Sequence, residues 1–139
     1  ETRIRIVAAY IRYTSEPEVR VELALNESIY TGQARYDASN PTASATSAFL
    51  DAFHQMGIGE VIPIFAYEIP GCLSHGNLVI TKVRYKFGDH ATDLLGIAES
   101  HQDLILCTVR ACLDALNRKV ALYWLDNSCP AEPDRILTE

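Results

Sequence analysis

No apolar run in this chain approaches the roughly 20 residues needed to span a bilayer. Nor does its beginning show the basic, apolar and small-residue regions of a secretory signal. A soluble protein with no membrane partner is the expectation. Basic residues are also in short supply: 12 Lys and Arg stand against 18 Asp and Glu, a net charge of −6. Nucleic-acid binders need a basic stripe that displaces counterions from phosphates. The densest basic stretch, Lys82, Arg84 and Lys86, is only the polar side of an alternating strand, so nucleic acid is not an expected partner. Cysteine is present but makes no framework. Cys107 and Cys112 fall inside an apolar helical pattern as small buried hydrophobes. Five residues apart, they point about 140° from one another on a helix and are badly placed to share a metal. Cys72 and Cys129 stand in loops and could pair, which spacing alone does not decide. A reducing, cytoplasmic setting fits this usage.

Recognisable catalytic machinery is missing too. There is no nucleophile elbow, P-loop, zinc quartet or His-Glu-x-x-His helix. His54, His75, His90 and His101 do not fall in pairs with metal-ligand spacing on one face. The chain is expected to be no enzyme by itself, and to need no cofactor or metal.

What the chain does have is a repeat. Ser47-Ala48-Phe49-Leu50-Asp51-Ala52-Phe53 returns as Arg110-Ala111-Cys112-Leu113-Asp114-Ala115-Leu116, 63 residues later. Upstream of each copy is a Gly-x-Ala step, Gly32-Gln33-Ala34 and Gly96-Ile97-Ala98, and further upstream Ala9-Tyr10 and Ala66-Tyr67. Three anchors in one order, twice, indicate a duplicated unit.

Each copy reads as three strands and a helix. In the first, Arg3 to Tyr10 alternates as a half-buried strand, and Pro17 breaks the chain after it. Val19, Val21, Leu23 and Leu25 alternate with polar residues as a second strand, and Asn26-Glu27 turns into Ser28-Ile29-Tyr30-Thr31. Asn40 is a good N-cap with Pro41 at the first helical position. Ala45, Ala48, Phe49, Ala52, Phe53 and Met56 form a buried stripe, and Gly57 is expected to end the helix. In the second copy, Val61 to Ile69 is a strand expected to break at Pro70-Gly71. Val79 to Phe87 alternates, Gly88-Asp89 makes a hairpin turn, and Ala91 to Ala98 is the third strand. The second helix spans about 102–118. Its inner residues are Ile105, Val109, Cys112, Leu113 and Leu116, and Arg110, Asp114, Asn117 and Arg118 face solvent. Val120 to Leu125, with the lone Trp124, extends that helix or adds a strand, and Pro130 and Pro133 lie in a frayed tail. The fold class is therefore α+β: two pseudo-symmetric βββα units. They occupy 1–119 as one domain, repeat one about 3–57 and repeat two about 61–119, with 120–139 as a C-terminal extension.

Two features carry functional interest. Asp51 and Asp114 hold equivalent places on the outer helix faces, where solvation is sufficient explanation. The Gly-x-Ala steps stand between a strand end and a helix N-terminus, where backbone N–H groups and the helix dipole favour an anion. They could admit a ligand carboxylate, or simply let strand and helix pack closely.

The stretch Gly96 to Asn117 resembles the second repeat of the C-terminal regulatory domain of 2-isopropylmalate synthase. It has the Gly-x-Gly/Ala step, an Asp before two aliphatics, and an Ala-x-Leu-x-Ala-Leu-Asn ending. Gly32-Gln33-Ala34-Arg35-Tyr36-Asp37-Ala38 is similar to the Gly-rich turn of the first repeat. Tyr67-Glu68-Ile69-Pro70-Gly71 looks like the related domain of citramalate synthase. The resemblance covers about residues 3–119. It implies a regulatory module that forms a homodimer and binds leucine, or isoleucine, as end product of branched-chain amino acid biosynthesis. The bound effector would inhibit a catalytic barrel of the same enzyme, an acetyl-CoA-dependent acyltransferase. The implied effector-binding residues are Gly32, Ala34, Tyr36, Asp37 and Ala38 with Gly96, Ala98 and Asp103. A structural dimerisation module with no effector is the alternative.

Overall fold

The computed structural model describes residues 3–73, 76–100 and 103–128, and the side chains of 3–69, 78–99 and 103–117. Two antiparallel meanders each lead into a helix. The first is β1 (Ile4–Arg12), β2 (Glu18–Leu25) and β3 (Ser28–Arg35), followed by α1 (Pro41–His54). The second is β4 (Glu60–Leu73), β5 (Gly76–Phe87) and β6 (His90–Ser100), followed by α2 (Leu104–Ser128). Strand order is β1-β2-β3 in one sheet and β4-β5-β6 in the other. The class is α+β, as the alternation of residues predicts.

Local chemistry explains the joints. Asn26, in the turn between β2 and β3, has φ 59°, a left-handed value that Asn tolerates. Phe87 pairs with His90 across Gly88-Asp89, and Gly88 takes φ 64°. Asn40 caps α1 by accepting from the Ala43 amide at 3.3 Å, ahead of Pro41. α1 stops at His54 with Gln55 as its cap, so Gly57, at φ 72°, serves the following turn and not the cap itself.

Each helix covers its own sheet and reaches an edge of the other. α1 packs on β2 and β3 and touches β4; α2 packs on β5 and β6 and touches β1; the helices also touch each other. One core results. It joins Val19, Val21 and Leu23 of the first sheet, Phe49 and Phe53 of α1, Val61, Val83 and Tyr85 of the second sheet, and Val109 and Leu116 of α2. Phe53 stacks on Phe49 and meets Tyr85 edge-on, with ring centroids 6.2 and 6.4 Å apart. The Tyr85 hydroxyl donates to the carbonyl of Ile58, which satisfies it inside the core.

Two further expectations are corrected, and one left open is decided. β4 runs through Pro70-Gly71 without breaking. It is an edge strand, where a missing amide costs no ladder bond, and its register shifts between Ile69 and Leu73. Asn117 does not face solvent: its side-chain oxygen accepts from the Ile4 amide at 3.0 Å and its nitrogen donates to the Ile4 carbonyl at 3.3 Å. The segment 120–125 continues α2 and adds no strand. The tail from residue 129, His75, His101, and the side chains of Cys72, Arg118 and Trp124 lie outside the described residues.

Candidate functional site

Gly32 and Gly96 stand within β3 and β6, each beneath a helix. A Cβ on Gly32 would lie 2.2 Å from the Ala48 carbonyl oxygen and 2.4 Å from the Ala52 nitrogen. On Gly96 it would lie 1.9 Å from the Ala111 oxygen and 2.7 Å from the Ala115 nitrogen. A glycine in the strand thus meets an Ala-x-x-x-Ala face on the helix, twice. The space at each glycine is filled by helix backbone. Ala34 and Ala98 are partly buried against the core.

The amides following these glycines are engaged. Gln33 donates its N–H to Asp51 Oδ2 at 3.0 Å, and Ile97 donates its N–H to Asp114 Oδ2 at 3.1 Å. Solvation is therefore not the whole explanation of these carboxylates, since each ties a helix to its edge strand. It also means that the N–H offered by each Gly-x-Ala step is bound by a protein carboxylate, whose charge would repel a second one.

Tyr36, Asp37 and Ala38 form the connection from β3 to α1. The Asp37 amide donates to Ser44 Oγ at 2.8 Å, which anchors this connection to the helix. The Asp37 carboxylate accepts from the Ser39 hydroxyl at 2.7 Å and the Ser39 amide at 3.0 Å, and these bonds lower its pKa. Asp103 caps α2, its carboxylate accepting from the Leu106 amide at 3.1 Å. The eight residues do not converge on one cavity: Ala34 alone lines one of the two clefts described next.

A groove of about 330 Å³ lies between the N-terminal half of α1 and β4. Its walls are Asn40, Ala43, Thr46 and Ser47 on the helix and Pro63 to Tyr67 on the strand. The register of β4 on β5 slips between Pro63 and Phe65, so Ile64 is the extra residue of a bulge. Bulges bend an edge strand and re-aim its side chains, and this one forms the groove wall. Phe65 and Tyr67 stack beside it at 4.9 Å. Thr42 Oγ1 donates to the Ala66 carbonyl at 3.2 Å and ties the helix to the strand. The groove is apolar with a few polar atoms at the helix end, the usual make-up of a small-molecule site. Sequence reasoning missed it. The one signal was Val61-Ile62-Pro63-Ile64-Phe65-Ala66, a strand in which polar alternation fails around a proline. A second cleft, of about 270 Å³, is lined by Glu16, Pro17, Glu18, Gln33, Ala34 and Arg35 and is polar.

Other reactive side chains serve the structure. His54 Nε2 accepts from the Val61 amide at 3.0 Å, linking α1 to the start of β4. Cys112 is fully buried; burial pushes its thiol up to about 12, against the smaller opposing effect of the Thr46 and Thr81 hydroxyls. Among the described residues no group of His, Cys, Asp or Glu is arranged to hold a metal ion, and no helix is long and apolar enough to cross a membrane. No family model matches the chain, and no curated protein does.

Proposed function

We propose that this chain is the regulatory module of a 2-isopropylmalate synthase-like acyltransferase, a homodimer that binds a branched-chain amino acid and passes its occupancy to a catalytic barrel. The observation that carries this reading is the contact made twice: glycine under Ala-x-x-x-Ala, with the next amide held by an aspartate, in β3–α1 and again in β6–α2. A duplicated βββα unit with pseudo-symmetry accounts for it, and that is the architecture implied by the resemblance of Gly96 to Asn117.

The effector sits in the groove between α1 and β4. Its branched side chain packs on Ile64 and Phe65. Its carboxylate lies toward the N-terminal end of α1, where the helix dipole favours negative charge. Asp37, already held ionised by Ser39, is the acidic group near that end that can meet the ammonium. Discrimination between leucine and isoleucine is modest, because the placement of one methyl is worth about 1–3 kcal/mol.

Thermal unfolding with and without millimolar leucine, isoleucine or valine tests this. A ligand at 100 times its Kd adds about 2.7 kcal/mol, several degrees for a domain of this size. Ala43→Trp, at an exposed position on the groove wall, abolishes the shift and leaves the unliganded midpoint nearly unchanged. A dimer whose midpoint responds to none of the three amino acids would be a structural dimerisation module instead.

A further inference from the structure

The backbone of β4 turns one unpartnered donor toward the groove. Residues of an antiparallel edge strand alternate between those that bond across the ladder and those whose amide and carbonyl both point away from it. Val61 points away, since its amide donates to His54 Nε2 at 3.0 Å. The alternation carries to Pro63 and, past the extra residue Ile64, to Ala66. The Ala66 carbonyl agrees with that count, because it accepts from Thr42 Oγ1 of α1. Its amide therefore points the same way, toward α1 and the groove that Ala66 helps to line. That amide finds no acceptor among the described residues. The edge is badly set to extend a ladder: Pro63 has no amide, Ile64 shifts the register, and the Ala66 carbonyl is already met by Thr42. A small acceptor group fits it better than an added strand.

The other polar groups of the groove are donors too. Asn40 spends its Oδ1 on the cap of α1, accepting from the Ala43 amide at 3.3 Å, so its free end is an N–H donor. Ser47 adds an exposed hydroxyl. None of the nine lining residues carries a charge, so nothing in the walls matches an ammonium. Asp37, the acid nearest Asn40 in the chain, stands outside the lining with its carboxylate bonded to Ser39.

We propose that the groove recognises a branched-chain acid by its carboxylate and its apolar chain, and does not read the group at C2. The 2-oxo acid of each carbon skeleton then binds as the amino acid does. This inference rests on the groove reading above and widens its ligand class. The carboxylate accepts from the Ala66 amide and Asn40 Nδ2, at the end of α1 where the helix dipole favours negative charge. The branched chain lies on Ile64 and Phe65. A neutral carbonyl at C2 enters these apolar walls at less cost than an ammonium with no acid in them to meet it. A site built to bond the ammonium would instead reject the oxo acid by about 10⁴-fold.

Titration calorimetry on the full chain tests this with three probes: leucine, the 2-oxo acid of the leucine skeleton, and the amine of that skeleton lacking the carboxylate. Leucine and the oxo acid are expected to bind within about tenfold of each other, far from the rejection an ammonium site would give, and the amine not at all. Asn40→Asp exchanges the donor for a carboxylate and keeps the cap, as Asp103 does on α2. It is expected to weaken both acids by more than about tenfold through charge repulsion, with the unliganded midpoint unchanged. Ala66→Pro, which removes the amide at an outward position like that of Pro63, does the same. Leucine bound with the oxo acid more than about tenfold weaker overturns this proposal and leaves the effector reading standing. The oxo acid bound without leucine upholds the proposal and overturns the amino-acid reading. Neither acid bound overturns both. An oxo acid that keeps its affinity in Asn40→Asp and Ala66→Pro, or an amine that binds as well as the acids, overturns the carboxylate contact.

Discussion

Gly32 and Gly96 show how much a single hydrogen can decide. Their Cβ positions are occupied by helix backbone, which cannot swing aside as a flexible side chain can. Gly32→Ala and Gly96→Ala are each expected to cost about 1–3 kcal/mol or more by overpacking, read as a drop of several degrees in thermal midpoint. The penalty should be the same in kind at both sites, and an alanine tolerated at either would contradict the contact. Cys112 makes a second prediction at this scale. Its thiol is raised by burial to about 12 from an ordinary 9.0. A raised thiol leaves the folded state holding a proton that the unfolded chain releases, so this contribution is fully present below pH 9 and lost between pH 9 and about 12. The stability difference between wild type and Cys112→Ala in urea is therefore expected to shrink from pH 8 to pH 10, by at most about 1.4 kcal/mol per pH unit. Iodoacetamide should leave Cys107 and Cys112 untouched in the native protein, since both are buried. The burial of both cysteines was legible from the helical spacing of their neighbours. The part played by the glycines was not: a small residue before a helix admits a ligand or a close-packed helix equally well, and only the position of Ala48 and Ala111 decides between them.

Among the elements, β1 is held at its first residue by α2. Asn117 clasps both the amide and the carbonyl of Ile4, and Ile4 is itself core. Asn117→Ala leaves a backbone pair without its partner and should cost about 1–3 kcal/mol. Amide exchange at Ile4 should rise with it, more than exchange at residues in β2. Sequence periodicity assigned Asn117 to the solvent face because helix phase reports only which side of a helix a residue occupies. It does not report that the edge of a distant sheet arrives there. β4 makes the same point from the other direction. Pro70-Gly71 reads as a break on local grounds, yet an edge strand has no outer ladder to lose, and the strand continues. The bulge at Ile64, which builds the groove wall, leaves only a faint trace in the sequence as an apolar run around Pro63. The N-cap of α1 was legible, because Asn40 and Pro41 act on their own next few residues, whereas its C-terminal cap is Gln55 and not the expected Gly57.

At the scale of the whole molecule, the two βββα units do not have separate cores. Phe53 of α1 meets Tyr85 of β5, and α2 reaches β1. A fragment of residues 1–58 is therefore expected to lack cooperative unfolding, and the full chain to show one transition with coincident probes. Two transitions, or a folded fragment, would mean the units are autonomous. The repeat in the sequence pointed to two units, and they are present in order; how far they share a core could not be read, because that depends on which edges the helices reach. What the sequence determined by itself is everything set by neighbours along the chain. That covers the strand and helix order, the turns at Asn26 and Gly88, the N-cap of α1, the inward stripes, and the lack of a basic stripe or spanning helix. What only the tertiary structure decided is everything set by elements far apart in the chain. The groove needs α1 beside a bulged β4. The pairing of Asp51 and Asp114 with strand amides needs each helix seated on its glycine. Periodicity records that a residue has two sides, and packing alone decides what stands on each.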